Sequence, residues 1–155
     1  MVSLHSKRAE LAPEYKMTLE ATHHGPTSLG SSVLFVELGS TEKEWIDWNT
    51  AGFIADSVMA AIESRKKYDR CGVGLGGTHY PDKLTKIVTE SKETCLGPIV
   101  PKYALEFFNS ELLDQILTKG DQKVDMAIVD MKGLGKFKES VLKVLNHSHL
   151  EIVPT

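Results

Sequence analysis

Cys71-Gly72-Val73-Gly74-Leu75 is a short apolar run that gives way to turn formers, Gly76-Gly77-Thr78-His79-Tyr80-Pro81. The first five residues suit a strand, and glycines inside a strand let a neighbouring group approach closely. Two further glycines and a proline end the strand and build a loop. Pro81 fits the first turn of a helix predicted to reach about Ser91, because its missing N–H would have no intrahelical partner there. Thr94 to Val100 then reads as extended. Gly72-x-Gly74-x-x-Gly77 also matches the dinucleotide-binding fingerprint. That motif must follow an apolar strand, and here Lys66-Lys67-Tyr68-Asp69-Arg70 precede it, so the reading is rejected.

The same alternation extends in both directions. Residues 1–15 read as an irregular lead-in. Lys16 to Thr22 alternates Met17, Leu19 and Ala21 with polar partners, a half-buried strand, and Thr22 to Thr27 breaks it with Gly25 and Pro26. Val33 to Leu38 is rich in β-formers and reads as a central strand. Thr41-x-x-Glu44 is a capping box, followed by Trp45, Trp48, Gly52, Ala55, Val58, Met59 and Ile62 at helical spacing, down to about Lys66. Towards the C-terminus, Leu105, Phe108, Leu112 and Ile116 mark one helix, Val124 to Asp130 a buried strand, Lys136 to Asn146 a helix, and His149 to Val153 an edge strand. Strands alternating with helices give an α/β fold with a mainly parallel or mixed sheet covered by helices. Loops at the carboxyl ends of such strands form the ligand site.

The chain has 155 residues and 17.1 kDa, 41% hydrophobic and 25% charged, which suits one globular α/β domain over 1–155. A net charge of −3 and a pI near 6.1 argue against a non-specific DNA or RNA binder. Local basic runs remain, at Arg65, Lys66, Lys67 and Arg70 and at Lys132, Lys136, Lys138 and Lys143. No apolar run approaches the roughly 20 residues of a membrane helix, and no secretion signal stands at the N-terminus, so a cytoplasmic protein without membrane contact is expected. Cys71 and Cys95 form no C-x-x-C pair and are expected to be reduced, buried thiols.

Chemistry concentrates in two loops. In an extended Glu20-Ala21-Thr22-His23-His24, Glu20 and His24 share a face, so the carboxylate could orient the imidazole as a general base. The pair also suits the start of a divalent-metal site, with His79 as third ligand. Behind Gly76 and Gly77, Thr78, His79 and Tyr80 offer a hydroxyl, an imidazole and a phenol, and the glycine amides could meet an oxyanion. Asp130 stands at a strand end with Lys132 nearby for phosphate; it reads either as a site acid or as a cap. His5, His147 and His149 read as surface residues.

Thr18-Leu19-Glu20-Ala21-Thr22-His23-His24-Gly25-Pro26-Thr27 resembles a signature of the archaeal- and plant-type D-aminoacyl-tRNA deacylases, the second type of D-tyrosyl-tRNA deacylase. So do Val36-Glu37-Leu38-Gly39-Ser40-Thr41-Glu42-Lys43-Glu44-Trp45, Gly74-Leu75-Gly76-Gly77-Thr78-His79-Tyr80, Pro101-Lys102-Tyr103-Ala104-Leu105 and Asp130-Met131-Lys132-Gly133. The five segments occur in the family's order. The resemblance implies a three-layer α/β/α fold similar to peptidyl-tRNA hydrolases and nucleoside phosphorylases. It implies hydrolysis of the ester of D-aminoacyl-tRNA, a chiral proofreading step, with zinc as cofactor. On that basis Glu20, His24 and His79 are the expected catalytic residues, with His23 and His24 exchanging roles if the loop curls. His23, Gly76, Gly77, Thr78, Tyr80 and Lys132 are the expected substrate contacts, and His23, His24 and His79 the expected zinc ligands. The chain begins near the middle of the family pattern, without its N-terminal region and that region's Gly-Asn loop. A non-catalytic module that binds a tRNA end or a nucleotide is the alternative, and a homo-oligomer could cover an exposed sheet edge.

Overall fold

A computed structural model describes residues 7–8, 10–25, 29–31, 33–64, 67–91 and 93–155. His5, Pro26, Thr27, Arg65 and Lys66 therefore lie outside the described residues. The chain divides into two compact units, Met1–Met17 with Val33–Lys67, and Thr18–Ser32 with Tyr68–Thr155.

In the first unit, α1 (Glu42–Trp45) and α2 (Trp48–Ser64) follow the capping box. The Glu44 carboxylate accepts the Thr41 N–H at 2.9 Å, as that sequence motif requires. Asp47, between the helices, caps α2: it accepts the Thr50 N–H at 3.0 Å, the Thr50 hydroxyl at 2.8 Å and the Tyr15 hydroxyl at 2.7 Å. The Thr50 backbone bond, with the two hydroxyls, holds its pKa down at about 2. Val33 to Leu38 is not the central strand expected. It pairs with no strand among the described residues, and Leu34 is 85% exposed. β-propensity supplies a surface for packing, and without a neighbouring strand it produces no ladder. Trp48, Met59 and Ile62 of α2 are likewise exposed, whereas Phe53, Ile54 and Val58 are half-buried.

The second unit carries a four-stranded sheet of order β2-β1-β3-β4, parallel throughout: β1 (Arg70–Leu75), β2 (Thr94–Val100), β3 (Met126–Val129) and β4 (Glu151–Pro154). Each crossover contains a helix: α3 (Asp82–Glu90), α4 (Ser110–Lys119) and α5 (Lys138–Asn146). Side chains alternate across the sheet. Val73, Leu75, Ala127 and Val129 pack with Leu113, Ile116, Val141 and Leu145 of α4 and α5. Met126 and Ile128 pack on the opposite face with Leu84 of α3 and with Ala21. This is the expected three-layer arrangement. Gly74 explains itself in it: a β-carbon there would lie 2.8 Å from Leu84 Cδ1 and 3.1 Å from Ile99 Cγ1. The strand glycine makes room for α3 rather than for a ligand.

Three sequence expectations are corrected in this unit. Lys16 to Thr22 is extended but joins no ladder; the Ala21 and Thr22 amides instead donate to the carbonyls of His79, at 2.8 Å, and Ile99, at 3.1 Å. The single helix through Leu105 and Ile116 is two elements, a 3-10 helix over Lys102–Phe107 and α4, because Asn109 starts a new helix by accepting the Leu112 N–H at 2.9 Å. Cys71 and Cys95 are not separate thiols: they stand opposite each other on β1 and β2 and are joined as a disulfide. No helix among the described residues is long and apolar enough to cross a membrane.

Candidate functional site

Three segments of the second unit converge at the carboxyl end of the sheet: residues 20–24, the loop 76–81 after β1, and residues 99–103 after β2. Backbone bonds pin them together. Gly76 N–H donates to Val100 O at 2.9 Å, Lys102 N–H to Gly77 O at 3.0 Å, and Ala21 N–H to His79 O at 2.8 Å. The Thr22 hydroxyl accepts the Ile99 N–H at 3.0 Å. Gly76 and Gly77 take φ of +93° and +81°, the left-handed region that only glycine enters without cost, and so turn the chain sharply after the strand.

On this frame Glu20 is the centre of a cluster. Its Oε1 lies 2.7 Å from His79 Nε2 and 3.8 Å from His23 Nε2. The other nitrogen of each ring is also engaged: His79 Nδ1 lies 2.9 Å from the Tyr103 hydroxyl, and His23 Nδ1 lies 2.7 Å from Ala21 O. A carbonyl oxygen can only accept, so His23 carries its proton on Nδ1, and in the neutral ring the Nε2 lone pair is open. The three side chains are about one-third exposed, within reach of a solute.

Of the expected residues, Glu20, His79 and His23 meet, and His24 also keeps a ring nitrogen within 4.8 Å of a Glu20 carboxylate oxygen. A bend at Thr22 breaks the alternation and brings His23 round to the carboxylate. The His24 ring lies against that of His23, centroids 3.9 Å apart. Of the two glycine amides, Gly76 N–H differs from expectation, because it is spent on Val100 O and is not open to an oxyanion. The Thr78 hydroxyl closes the turn by donating to Tyr80 O at 2.8 Å. Tyr80 is exposed and meets His79 edge-on, centroids 4.9 Å apart.

Gly77, Thr78 and Tyr80 line a pocket of about 170 Å³ with Lys83 and Asp130. Asp130 is 9% exposed. Burial pushes its carboxyl up, but a 2.6 Å bond to Lys83 Nζ and the N–H groups of Gly133 and Lys132 outweigh it and hold the pKa below its ordinary value. Asp130 is thus the cap of the loop after β3 as well as the partner of Lys83. Lys132 is exposed beside it. Sequence reading missed Lys83 and Tyr103. Tyr103 stands in a quoted segment, but nothing local announces a bond that spans 24 residues.

The family model of D-aminoacyl-tRNA deacylase matches residues 1–153. The chain belongs to the D-aminoacyl-tRNA deacylase family. A curated D-aminoacyl-tRNA deacylase of Cenarchaeum symbiosum is 37% identical over 148 residues, 96% of this chain and 57% of the relative. One from Hyperthermus butylicus is 39% identical over 77% of this chain and 44% of the relative. Among solved structures, a crystal structure of a conserved protein of unknown function superposes with a TM-score of 0.87 at 28% identity, over 99% of this chain and 53% of that one. This D-aminoacyl-tRNA deacylase family chain therefore spans about half the length of the curated relatives it matches.

For a zinc ion, Glu20, His23 and His79 offer one carboxylate oxygen and two imidazole nitrogens within 4.8 Å of one another. Each imidazole has a hydrogen-bonding group on its far nitrogen, the arrangement that orients metal-ligating histidines. The donor set fits zinc, with Glu20 in place of the expected His24.

Proposed function

We propose that this chain carries the hydrolytic centre that cleaves the ester between a D-amino acid and the 3′ end of its tRNA. The observation that supports it is the Glu20–His79–His23 cluster, in which a carboxylate faces the Nε2 atoms of two histidines at the open end of the sheet. An aminoacyl ester is already activated, so one well-placed base suffices. His23 Nε2 takes a proton from water, and the oxygen attacks the ester carbonyl. The bond to the 3′ oxygen breaks, the proton returns to that oxygen, and free amino acid and tRNA leave. Glu20 holds His79 in the cluster beside His23.

Were Glu20, His23 and His79 to hold zinc instead, His23 Nε2 would be a ligand and not the base, and the ion would supply a bound water of lowered pKa in its place. The pocket lined by Gly77, Thr78 and Tyr80 is the place for the aminoacyl group, beside His79. Lys132 and Lys136 lie beyond β3 and suit phosphates of the tRNA end, and a tRNA substrate implies a cytoplasmic protein. The test is release of amino acid from D-tyrosyl-tRNA by the purified chain, with and without chelator, beside elemental analysis. Release supports the reading, and loss on chelation supports zinc. Binding of tRNA without release favours the non-catalytic module.

A further inference from the structure

We propose that Tyr103 is the positioning residue of His79, its hydroxyl donating to Nδ1 and thereby fixing the ring as the Nε2–H tautomer that donates to Glu20. The proposal rests on the deacylase reading for its kinetic consequence but not for its structural one.

The geometry runs through three side chains: Tyr103 hydroxyl to His79 Nδ1 at 2.9 Å, then His79 Nε2 to Glu20 Oε1 at 2.7 Å. A carboxylate can only accept, so the neutral imidazole must place its single proton on Nε2. Nδ1 is then a lone pair, and the Tyr103 hydroxyl beside it is the donor it accepts from. The two bonds define the ring's orientation at both nitrogens. A histidine tied at one nitrogen alone can pivot about its Cβ–Cγ bond. Tyr103 is itself held in place, because it lies in the first turn of the 3-10 helix over Lys102–Phe107, and Lys102 N–H is bonded to Gly77 O in the loop that carries His79. The ring planes of Tyr103 and His79 lie within 26° of parallel, with centroids 6.3 Å apart.

The assignment sorts the two histidines by role. His79 is a donor to Glu20 at the cluster, and His23, protonated at Nδ1 by its bond to Ala21 O, supplies the Nε2 lone pair. A metal ligated through His79 Nε2 would require the opposite tautomer, with the Tyr103 hydroxyl turned to accept from Nδ1–H.

The experiment is side-chain nitrogen–proton NMR of His79 in the full chain, as isolated, and in Tyr103→Phe, at a pH where the imidazole is neutral. The native ring is expected to carry its proton on Nε2, with Nδ1 shifted as a hydrogen-bond acceptor. Tyr103→Phe keeps the aromatic ring and should replace that signature with averaged shifts of a mobile ring. With D-tyrosyl-tRNA, kcat should fall about 3- to 10-fold, the worth of one neutral hydrogen bond, with KM unchanged. A native ring protonated on Nδ1 would overturn the proposal, as would a Tyr103→Phe ring with native shifts. The native spectrum decides even if the variant fails to fold. A native chain that cleaves no ester defeats the deacylase reading and leaves the NMR test of Tyr103 intact.

Discussion

The Nζ of Lys83 lies 2.6 Å from Oδ1 of Asp130 and ties the first turn of α3 to the loop after β3, across the pocket that adjoins His79. Asp130 is nine-tenths buried and Lys83 about half exposed, so the carboxylate depends on the bond more than the ammonium does. Asp130→Ala strips the partner from Lys83 and orphans the N–H groups of Lys132 and Gly133. It should destabilise the chain by roughly 1–3 kcal/mol in urea unfolding. Lys83→Met should cost less, since solvent already screens that side chain.

The same pair sets an acid limit. The folded pKa of Asp130 lies below its ordinary 3.8, and that of Asp47 is about 2. A depressed carboxyl contributes stability above its unfolded value and loses it as pH falls through the folded one. Unfolding free energy should therefore be flat above about pH 5 and fall below about pH 4. Asp47→Asn combined with Asp130→Asn should flatten that fall, as read by urea titrations at each pH.

His23 and His24 separate cleanly. His23→Ala should lower deacylation by about 10²–10⁴-fold, the usual worth of a general base. His24→Ala should cost less, because the bonds that orient the cluster, Glu20 to His79 and Ala21 O to His23, do not involve its ring. Equal losses, or a larger one at His24, would return the base to the position an extended chain implies.

The loop glycines carry backbone constraints. Gly76→Ala and Gly77→Ala each force a side chain into the left-handed region, at roughly 1–2 kcal/mol. Gly76→Ala should be the worse, since its β-carbon would sit 3.0 Å from the Asp130 carbonyl, whereas at Gly77 it meets Pro81 Cβ at 3.2 Å. Thermal denaturation of the two variants gives the order.

For tRNA contact, reversing Lys132 and Lys136 to Glu should weaken binding and flatten its salt dependence, because fewer counterions are released. An unchanged slope would remove both lysines from the interface.

The sheet unit was legible because its signals are local. Apolar runs at 71–75, 94–100 and 124–130, bounded by Gly and Pro, produced β1, β2 and β3 with small errors at the ends. Val33–Leu38 misled because propensity describes a strand's surface and says nothing of its neighbour. The Cys71–Cys95 pairing depends on the register of two strands, which one sequence does not display. Glu20, His23, His24 and His79 were legible as candidates from their loops and do lie together, whereas the bend at Thr22 that turns His23 to the carboxylate has no mark in the spacing. Tyr103 reaches His79 only through the crossover from β1 to β2, so no spacing in the chain could mark it.

The central claim is that a histidine base beside Glu20 hydrolyses the ester of one enantiomer. The most direct measurement follows amino-acid release from D- and L-tyrosyl-tRNA side by side, with the native chain and with His23→Ala. The account predicts rapid release from the D-ester, a spared L-ester, and loss of release in the variant. Similar rates on both esters, or a His23→Ala chain as active as the native one, would contradict it.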